Sequence, residues 1–272
     1  MENKKLSADI DFPEGYVLPV DKPYGWTSSD VVRKVKALLR GRGYRKIKIG
    51  HAGTLDPLAT GVLLVCIGRA TKRAEALQAG EKEYAATIAL GATTPSFDRE
   101  HPVDGYYPTE GVTRENIEAA LREMTGEQLQ APPVYSAKRV DGKRAYELAH
   151  KGMAGGEPEL RLAQVTIYEM TLEGMGHTSG KTVSRVKSGA RKHEKEDGLP
   201  ELISEKELPT AMVRVRCSKG TYVRSIARDL GERLGSGGFL TSLVRTRSGN
   251  YGLEGCYSIE DIEKILAPVK QI

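Results

Sequence analysis

The chain has 272 residues, 39% hydrophobic and 28% charged, which suits one large domain, or a domain with a small appendage, and allows a sizeable core. A total of 41 Lys and Arg against 36 Asp and Glu leaves a net charge of +5 and a pI near 8.9. That excess permits a nucleic-acid partner without requiring one. Cys66, Cys217 and Cys256 stand far apart, which supports neither a disulfide framework nor a zinc ribbon. The N-terminus lacks a signal-peptide core, and no apolar run approaches the roughly 20 residues that span a bilayer, so a cytoplasmic protein is expected.

From Val17 the chain reads as a short strand, a Pro/Gly turn and a helix start. Ser29 is placed to cap a helix whose Val31, Val32, Val35, Leu38 and Leu39 share one face, with Gly41 closing it. Arg33, Lys34, Lys36 and Arg40 decorate the other side, and Arg42, Arg45, Lys46 and Lys48 follow. Like charges this dense are usually a solvated face, yet directly upstream of a polar loop they could equally track phosphates.

That loop is GHAGTLDPLATG, Gly50 to Gly61. Three glycines and a proline predict a segment of fixed shape, neither helix nor strand, which empties into the apolar run Val62 to Ile67. Pro57 biases Asp56 towards an extended backbone, so a lone carboxylate is presented on a stiffened chain. On the residues alone Asp56 is a turn cap, the default for Asp before Pro, or else a nucleophile, a base or a ligand.

Gly68 to Lys72 lacks the first glycine of a phosphate loop, which argues against nucleotide binding. Lys82 to Gly91 has a strand pattern ending at the glycine, and Tyr84 in it is either a core tyrosine or a platform for a base. Thr113 to Thr125 carries a helical stripe of Ile117, Ala120, Leu121 and Met124. Pro132 to Ala149 reads as a loop, a hairpin at Asp141-Gly142 and a helix; there Lys138, Arg139, Lys143 and Arg144, interleaved with Tyr135 and Tyr146, form an RNA-facing patch. Leu160 to Met170 alternates as a strand. Residues 176–207 bring first basic and then acidic residues with few large apolar ones, a flexible surface insertion.

Ala211 to Cys217 alternates as a strand and leads to a helix with Val223, Ile226, Ala227, Leu230 and Leu234 on one face. Arg224 falls in its first turn, where the helix dipole disfavours a cation, so a specific anionic partner is expected. Leu240 to Gly249 closes the core. A last helix opens at Ser258 with Asp261 three residues on and ends at Pro268. No HExxH or GxSxG occurs, and the five histidines lack metal-ligand spacing, so no metal or cofactor is expected.

Gly50 to Gly61 matches the signature GHxGxLDPxAxG of the TruB-like pseudouridine synthases position by position, and the chain is identified by resemblance as a member of that family. DKPxGxTS from Asp21, KxYxxxxxLGxxT from Lys82, PPxYSAxxxxGxxAYExA from Pro132 and CSKGTYVR from Cys217 are similar to further family strings, in the family's order. Leu243-Val244-Arg245 stands where the family has LRR, and the insertion departs from most relatives. The resemblance implies an α+β pseudouridine synthase fold, with a central mixed, mostly antiparallel sheet flanked by helices. It implies a cofactor-free enzyme that isomerises the T-loop uridine at tRNA position 55. Asp56 would be the catalytic carboxylate, Arg224 its partner, and Tyr84 the ring packed on the uracil. His51 would fill the space left by a flipped-out nucleotide, Tyr222 and Leu243 would line the uridine pocket, and Lys22 would join the RNA-binding residues. The expected partner is the tRNA T-arm, the expected state a monomer, and residues 1–272 are expected to be one catalytic domain without the C-terminal RNA-binding (PUA) domain of many relatives. A non-catalytic tRNA-binding or folding role on the same surface is the alternative, which the intact Asp56, Tyr84 and Arg224 disfavour as the sole function.

Overall fold

The computed structural model describes residues 5–7, 9–133, 139–140, 143–144, 162–178 and 206–267. In chain order its elements are β1 (Tyr16–Lys22), α1 (Ser28–Gly41), β2 (Ile49–Ala52), β3 (Thr60–Ile67), α2 (Ala74–Ala79), β4 (Lys82–Leu90), β5 (Ala92–Thr93), β6 (Gly105–Tyr106), α3 (Arg114–Glu123), β7 (Gly126–Gln130), β8 (Arg139–Val140), β9 (Lys143–Arg144), β10 (Ala163–His177), β11 (Pro209–Cys217), α4 (Val223–Arg233), β12 (Gly238–Ser248), β13 (Tyr251–Gly252) and α5 (Ile259–Leu266). The strands form a mixed, mostly antiparallel sheet accompanied by helices, the expected α+β class. The described chain divides into two compact units, one of residues up to Tyr84 and from Leu243 onward, the other from Ala85 to Ser242, and β4 and β12 run from one into the other.

The first unit is built on β3. Its apolar run is buried from Gly61 to Ile67, as a strand covered on both faces requires. β1 pairs antiparallel along its length, from Tyr16↔Ile67 to Lys22↔Gly61. Two strands share the other edge of β3: β12 runs parallel at Val244↔Thr60 and Arg245↔Gly61, and β2 runs antiparallel from Ile49↔Ile67 to Ala52↔Leu64. The stretch expected to be all loop therefore begins as a strand, because β3 offers Gly50 and His51 a ladder that local composition does not reveal.

The cap of α1 also differs from expectation. Thr27, not Ser29, is the N-cap: its side chain accepts from Asp30 N while the Asp30 carboxylate accepts from Thr27 N, a complete capping box. Ser28 is thereby drawn inside the helix with its hydroxyl free for another element. Val31, Val35 and Leu39 are buried on the expected face. α5 opens at Ser258 with Asp261 donating back to it, as read.

In the second unit β11 pairs with β10, and β10 with β7. α3 buries Ile117 and Leu121, and α4 buries Val223, Ile226, Ala227 and Leu230. β10 is longer than the pattern suggested; two register shifts against β11, at Ile167/Glu169 and Leu172/Gly174, absorb the irregular residues without ending the strand. At its end Thr178 N donates to Leu208 O (2.8 Å) and Leu208 N donates to Thr178 Oγ1 (3.0 Å), so the chain leaves and returns at one paired base. The expected insertion lies almost wholly outside the described residues. β8 and β9 pair as Arg139↔Arg144 and Val140↔Lys143, the hairpin expected at Asp141-Gly142.

Candidate active site

Asp56 sits half-buried in a loop that the rest of the first unit holds from three sides. Ala59 N donates to Asp56 O at 3.1 Å, closing a turn around Pro57. Ser28 clamps the residue before it: the hydroxyl donates to Leu55 O (3.1 Å) and accepts from Leu55 N (2.9 Å). Gly25 N donates to Pro57 O at 2.9 Å. On the far side Asp21 Oδ1 accepts from Gly61 N at 3.2 Å.

Two buried cations complete the frame. Lys22, expected among the RNA-binding residues, is fully buried, and its Nζ donates to Pro23 O (3.0 Å), Trp26 O (2.6 Å) and Pro57 O (3.2 Å). A charge enclosed by three carbonyls cannot reach a phosphate, so Lys22 ties the turn after β1 to the Asp56 loop instead. Burial pulls its pKa down to about 8, against the attraction of Asp56 and Asp30. Arg245, which the sequence reading left without a role, is the second. Its Nε donates to Val62 O (2.7 Å), Nη2 to Gly53 O (3.1 Å) and Nη1 to Thr54 O (3.4 Å), stapling both arms of the loop to β12. Gly61 makes the close approach possible: its φ is 96°, and a Cβ there would lie 2.3 Å from Arg245 O.

The remaining first-unit residues surround this frame in sequence and register. His51 lies on β2 opposite Val65. Burial and then the Arg245 charge push its pKa down, so near neutral pH it is an uncharged ring, and its Nδ1 has no hydrogen-bond partner among the described residues. Tyr84 is nearly buried on β4. Leu243, partly exposed, precedes Arg245 by two residues on β12 and so shares its side of the strand.

Arg224 and Tyr222 belong to the second unit. Arg224 is buried in the first turn of α4, and the anionic partner found there is Asp98, with Nε 3.6 Å from Oδ2. Its Nη1 also donates to Ser96 O at 3.3 Å. Asp98, unmarked in the sequence reading, ends a tightly held loop. Thr94 Oγ1 donates to Asp98 O (2.8 Å), Leu240 N donates to Phe97 O (3.0 Å), and Phe97 sits at φ 58° with Arg228 stacked 5.2 Å from its ring. A bulky residue in that conformation costs on the order of 1 kcal/mol or more and persists only where its surroundings hold it.

A cationic cavity of about 560 Å³ opens at the other end of β3, lined by Tyr44, Arg45, Lys46, Lys48, Arg69 and Lys72 among others. Arg69 pairs with Glu14 at 2.7 Å, whereas Arg45, Lys46, Lys48 and Lys72 have no ion pair among the described residues. The eight residues of β3 put it about 25 Å from the Asp56 loop at ~3.3 Å per residue. Lys138 lies outside the described residues, and of Arg139, Lys143 and Arg144 only the hairpin register is described. Among the described residues no cluster of His, Cys, Asp or Glu is arranged to hold a metal, and no helix is long and apolar enough to cross a membrane.

Residues 41–191 match the N-terminal domain model of the TruB family pseudouridylate synthases, and residues 224–271 match the tRNA pseudouridylate synthase B C-terminal domain. The chain belongs to the TruB family. A TruB-family relative from Phocaeicola vulgatus, tRNA pseudouridine synthase B, is 47% identical over 94% of this chain and 95% of its own. The protein of the same name from Flavobacterium johnsoniae is 40% identical over 94% of this chain and 98% of its own. Among solved structures, an archaeal box H/ACA sRNP Nop10–Cbf5 complex (TM-score 0.57, 24% identity) and a Cbf5–Nop10–Gar1 complex (TM-score 0.56, 27% identity) share the fold over 96% of this chain. This chain spans 57% and 60% of those two chains. TruB-family membership accounts for the sheet and for the loop that carries Asp56.

Proposed function

We propose that this protein isomerises uridine to pseudouridine in tRNA, at the T-loop uridine of position 55, with Asp56 as the catalytic carboxylate. The observation that carries this reading is the frame around Asp56, in which buried Lys22, Ser28 and Arg245 fix the loop on both sides of one partly accessible carboxylate. The reaction breaks the C1′–N1 bond, turns the base and joins C1′ to C5; the proton lost from C5 is balanced by one gained at N1, so no cofactor is consumed. Asp56 attacks C1′ or the uracil ring, or stabilises a glycal-type intermediate. Arg224, already oriented by Asp98 and Ser96 O, is the group proposed to pair with Asp56.

The target base leaves its stack at a cost of roughly a few kcal/mol, which stacking on an aromatic ring partly offsets. Tyr84 supplies that ring, and neutral His51 fills the vacated space without adding charge. Tyr84→Phe is therefore expected to retain most of kcat while Tyr84→Leu loses roughly tenfold or more, since stacking contributes about 1–3 kcal/mol per base. Equal rates for the two variants would contradict the stacking role.

Arg45, Lys46, Lys48 and Lys72, which have no ion pair among the described residues, and the β8–β9 hairpin residues supply the grip on tRNA phosphates. The segment between Thr178 and Leu208 is not needed for chemistry, because its two ends already hold each other. Replacing residues 180–205 with a short linker is expected to leave kcat unchanged and to raise KM for tRNA at most about twofold. A lower kcat at an unchanged melting temperature would place that segment in the active site. The direct test of the function is mass-specific pseudouridine mapping of an unmodified tRNA transcript incubated with the purified protein. One pseudouridine at the T-loop position is expected; an unmodified transcript would refute the reading.

A further inference from the structure

Gln130, the last residue of β7, is almost fully buried, and both ends of its side-chain amide engage one residue of another element. Oε1 accepts from Tyr222 N at 2.8 Å, and Nε2 donates to Tyr222 O at 3.1 Å. The side chain thus reproduces the two-bond exchange by which paired residues of an antiparallel ladder fix each other. Tyr222 is the N-cap of α4, and its own side chain caps no backbone amide, so this clamp holds the point where the chain turns into the helix. The next residue reinforces it: Ala131 O accepts from Ser225 Oγ at 2.8 Å and from Arg228 Nη2 at 3.4 Å.

Residues 222, 225 and 228 form one stripe at helical spacing, and Arg224 lies between them in sequence, on the adjoining face of the same first turn. The guanidinium of Arg224 meets Asp98 and Ser96 O from a backbone that Gln130 and Ala131 anchor. Removing the amide takes the acceptor from the part-buried Tyr222 N–H and leaves Tyr222 O with the intrahelical bond from Ile226 N (3.2 Å), so the helix start loses the clamp that fixes it to β7. A misplacement of about 1 Å at a reacting group can cost on the order of a hundredfold in rate.

We infer that Gln130 is a positioning residue for the isomerisation, acting through the Tyr222 backbone to set the start of α4 and with it Arg224. The inference rests on the function proposed above. Gln130→Met removes both hydrogen bonds at similar volume; Gln130→Glu, closer in shape, keeps an acceptor for Tyr222 N, removes the donor to Tyr222 O and serves if the first variant does not fold. Steady-state kinetics on tRNA, normalised to the fraction of enzyme that binds tRNA, are expected to give a kcat lowered about tenfold or more with KM within about twofold. In an Arg224→Lys background the same change is expected to cost less than about twofold, because the geometry it protects is already lost. A kcat within twofold of the parent, a change confined to KM, or an undiminished loss in the Arg224→Lys background would overturn the role of Gln130. A parent enzyme without turnover would instead refute the proposed function, and this inference with it.

Discussion

Asp56→Asn is expected to abolish pseudouridine formation while leaving tRNA affinity within about twofold of the parent. Asparagine preserves the size of the side chain and its capacity to accept hydrogen bonds, and the contacts that hold the loop come from other groups: Ser28 on Leu55, Lys22 on Pro57 O, Arg245 on Gly53, Thr54 and Val62. The loop should therefore keep its shape. What disappears is the negative charge that the proposed mechanism uses to form or support a bond at the sugar or the base. Lys22 also loses one of the attractions that offset its burial, so a small drop in melting temperature is expected alongside the loss of activity. Turnover above background in a purified Asp56→Asn preparation would remove Asp56 from the mechanism.

Arg224→Ala is expected to lower kcat on the order of a hundredfold, equivalent to about 2.7 kcal/mol, and to destabilise the fold as well. Arg224 and Asp98 are 4% and 6% exposed, so deleting the arginine removes the buried cation beside a carboxylate that keeps its hydrogen bond from Glu100 N, and breaking a buried pair costs up to about 3–5 kcal/mol. Arg224→Lys separates the two effects. A lysine retains the charge beside Asp98 but lacks the planar fork that can serve a second carboxylate and Ser96 O together, so its melting temperature should stay near the parent's while kcat falls about tenfold. A lysine variant with parental kcat would show that Arg224 contributes charge alone.

Much of this architecture is legible in local sequence because its signals are local. The stripe in α3, the Ser258 cap of α5 and the continuous apolar run of β3 each follow from spacing and side-chain type within one element. Some of the misread parts depend on partners distant in the chain, others on a choice among near neighbours. Gly50 and His51 form a strand because β3 is there to pair with them. Lys22 is buried because the carbonyl of Pro57 joins those of its near neighbours Pro23 and Trp26 around it, and that convergence is not visible in its own string. Thr27 displaces Ser29 as the cap because Asp30 stands three residues beyond it; the TSSD string offered several candidates, and only one completes the reciprocal pair.

The candidate site divides the same way. The mismatch between Arg224 and the helix dipole correctly pointed to an anionic partner, but Asp98 comes from a distant loop and could not be named from that mismatch. Arg245 and Gln130 act through backbone atoms of other segments, so the sequence shows only one of two arginines in a mixed strand and a polar residue at a strand end. Asp56 stands out only through the Gly50 to Gly61 string that resembles the family signature; its immediate neighbours alone read as a turn.

The most direct test of the central claim is position-resolved pseudouridine mapping of tRNA from a strain lacking this protein, complemented with the parent chain or with Asp56→Asn. The account predicts that the T-loop pseudouridine is missing in the deletion strain, returns with the parent chain and stays missing with Asp56→Asn. A T-loop pseudouridine that persists in the deletion strain, or that Asp56→Asn restores, would contradict it.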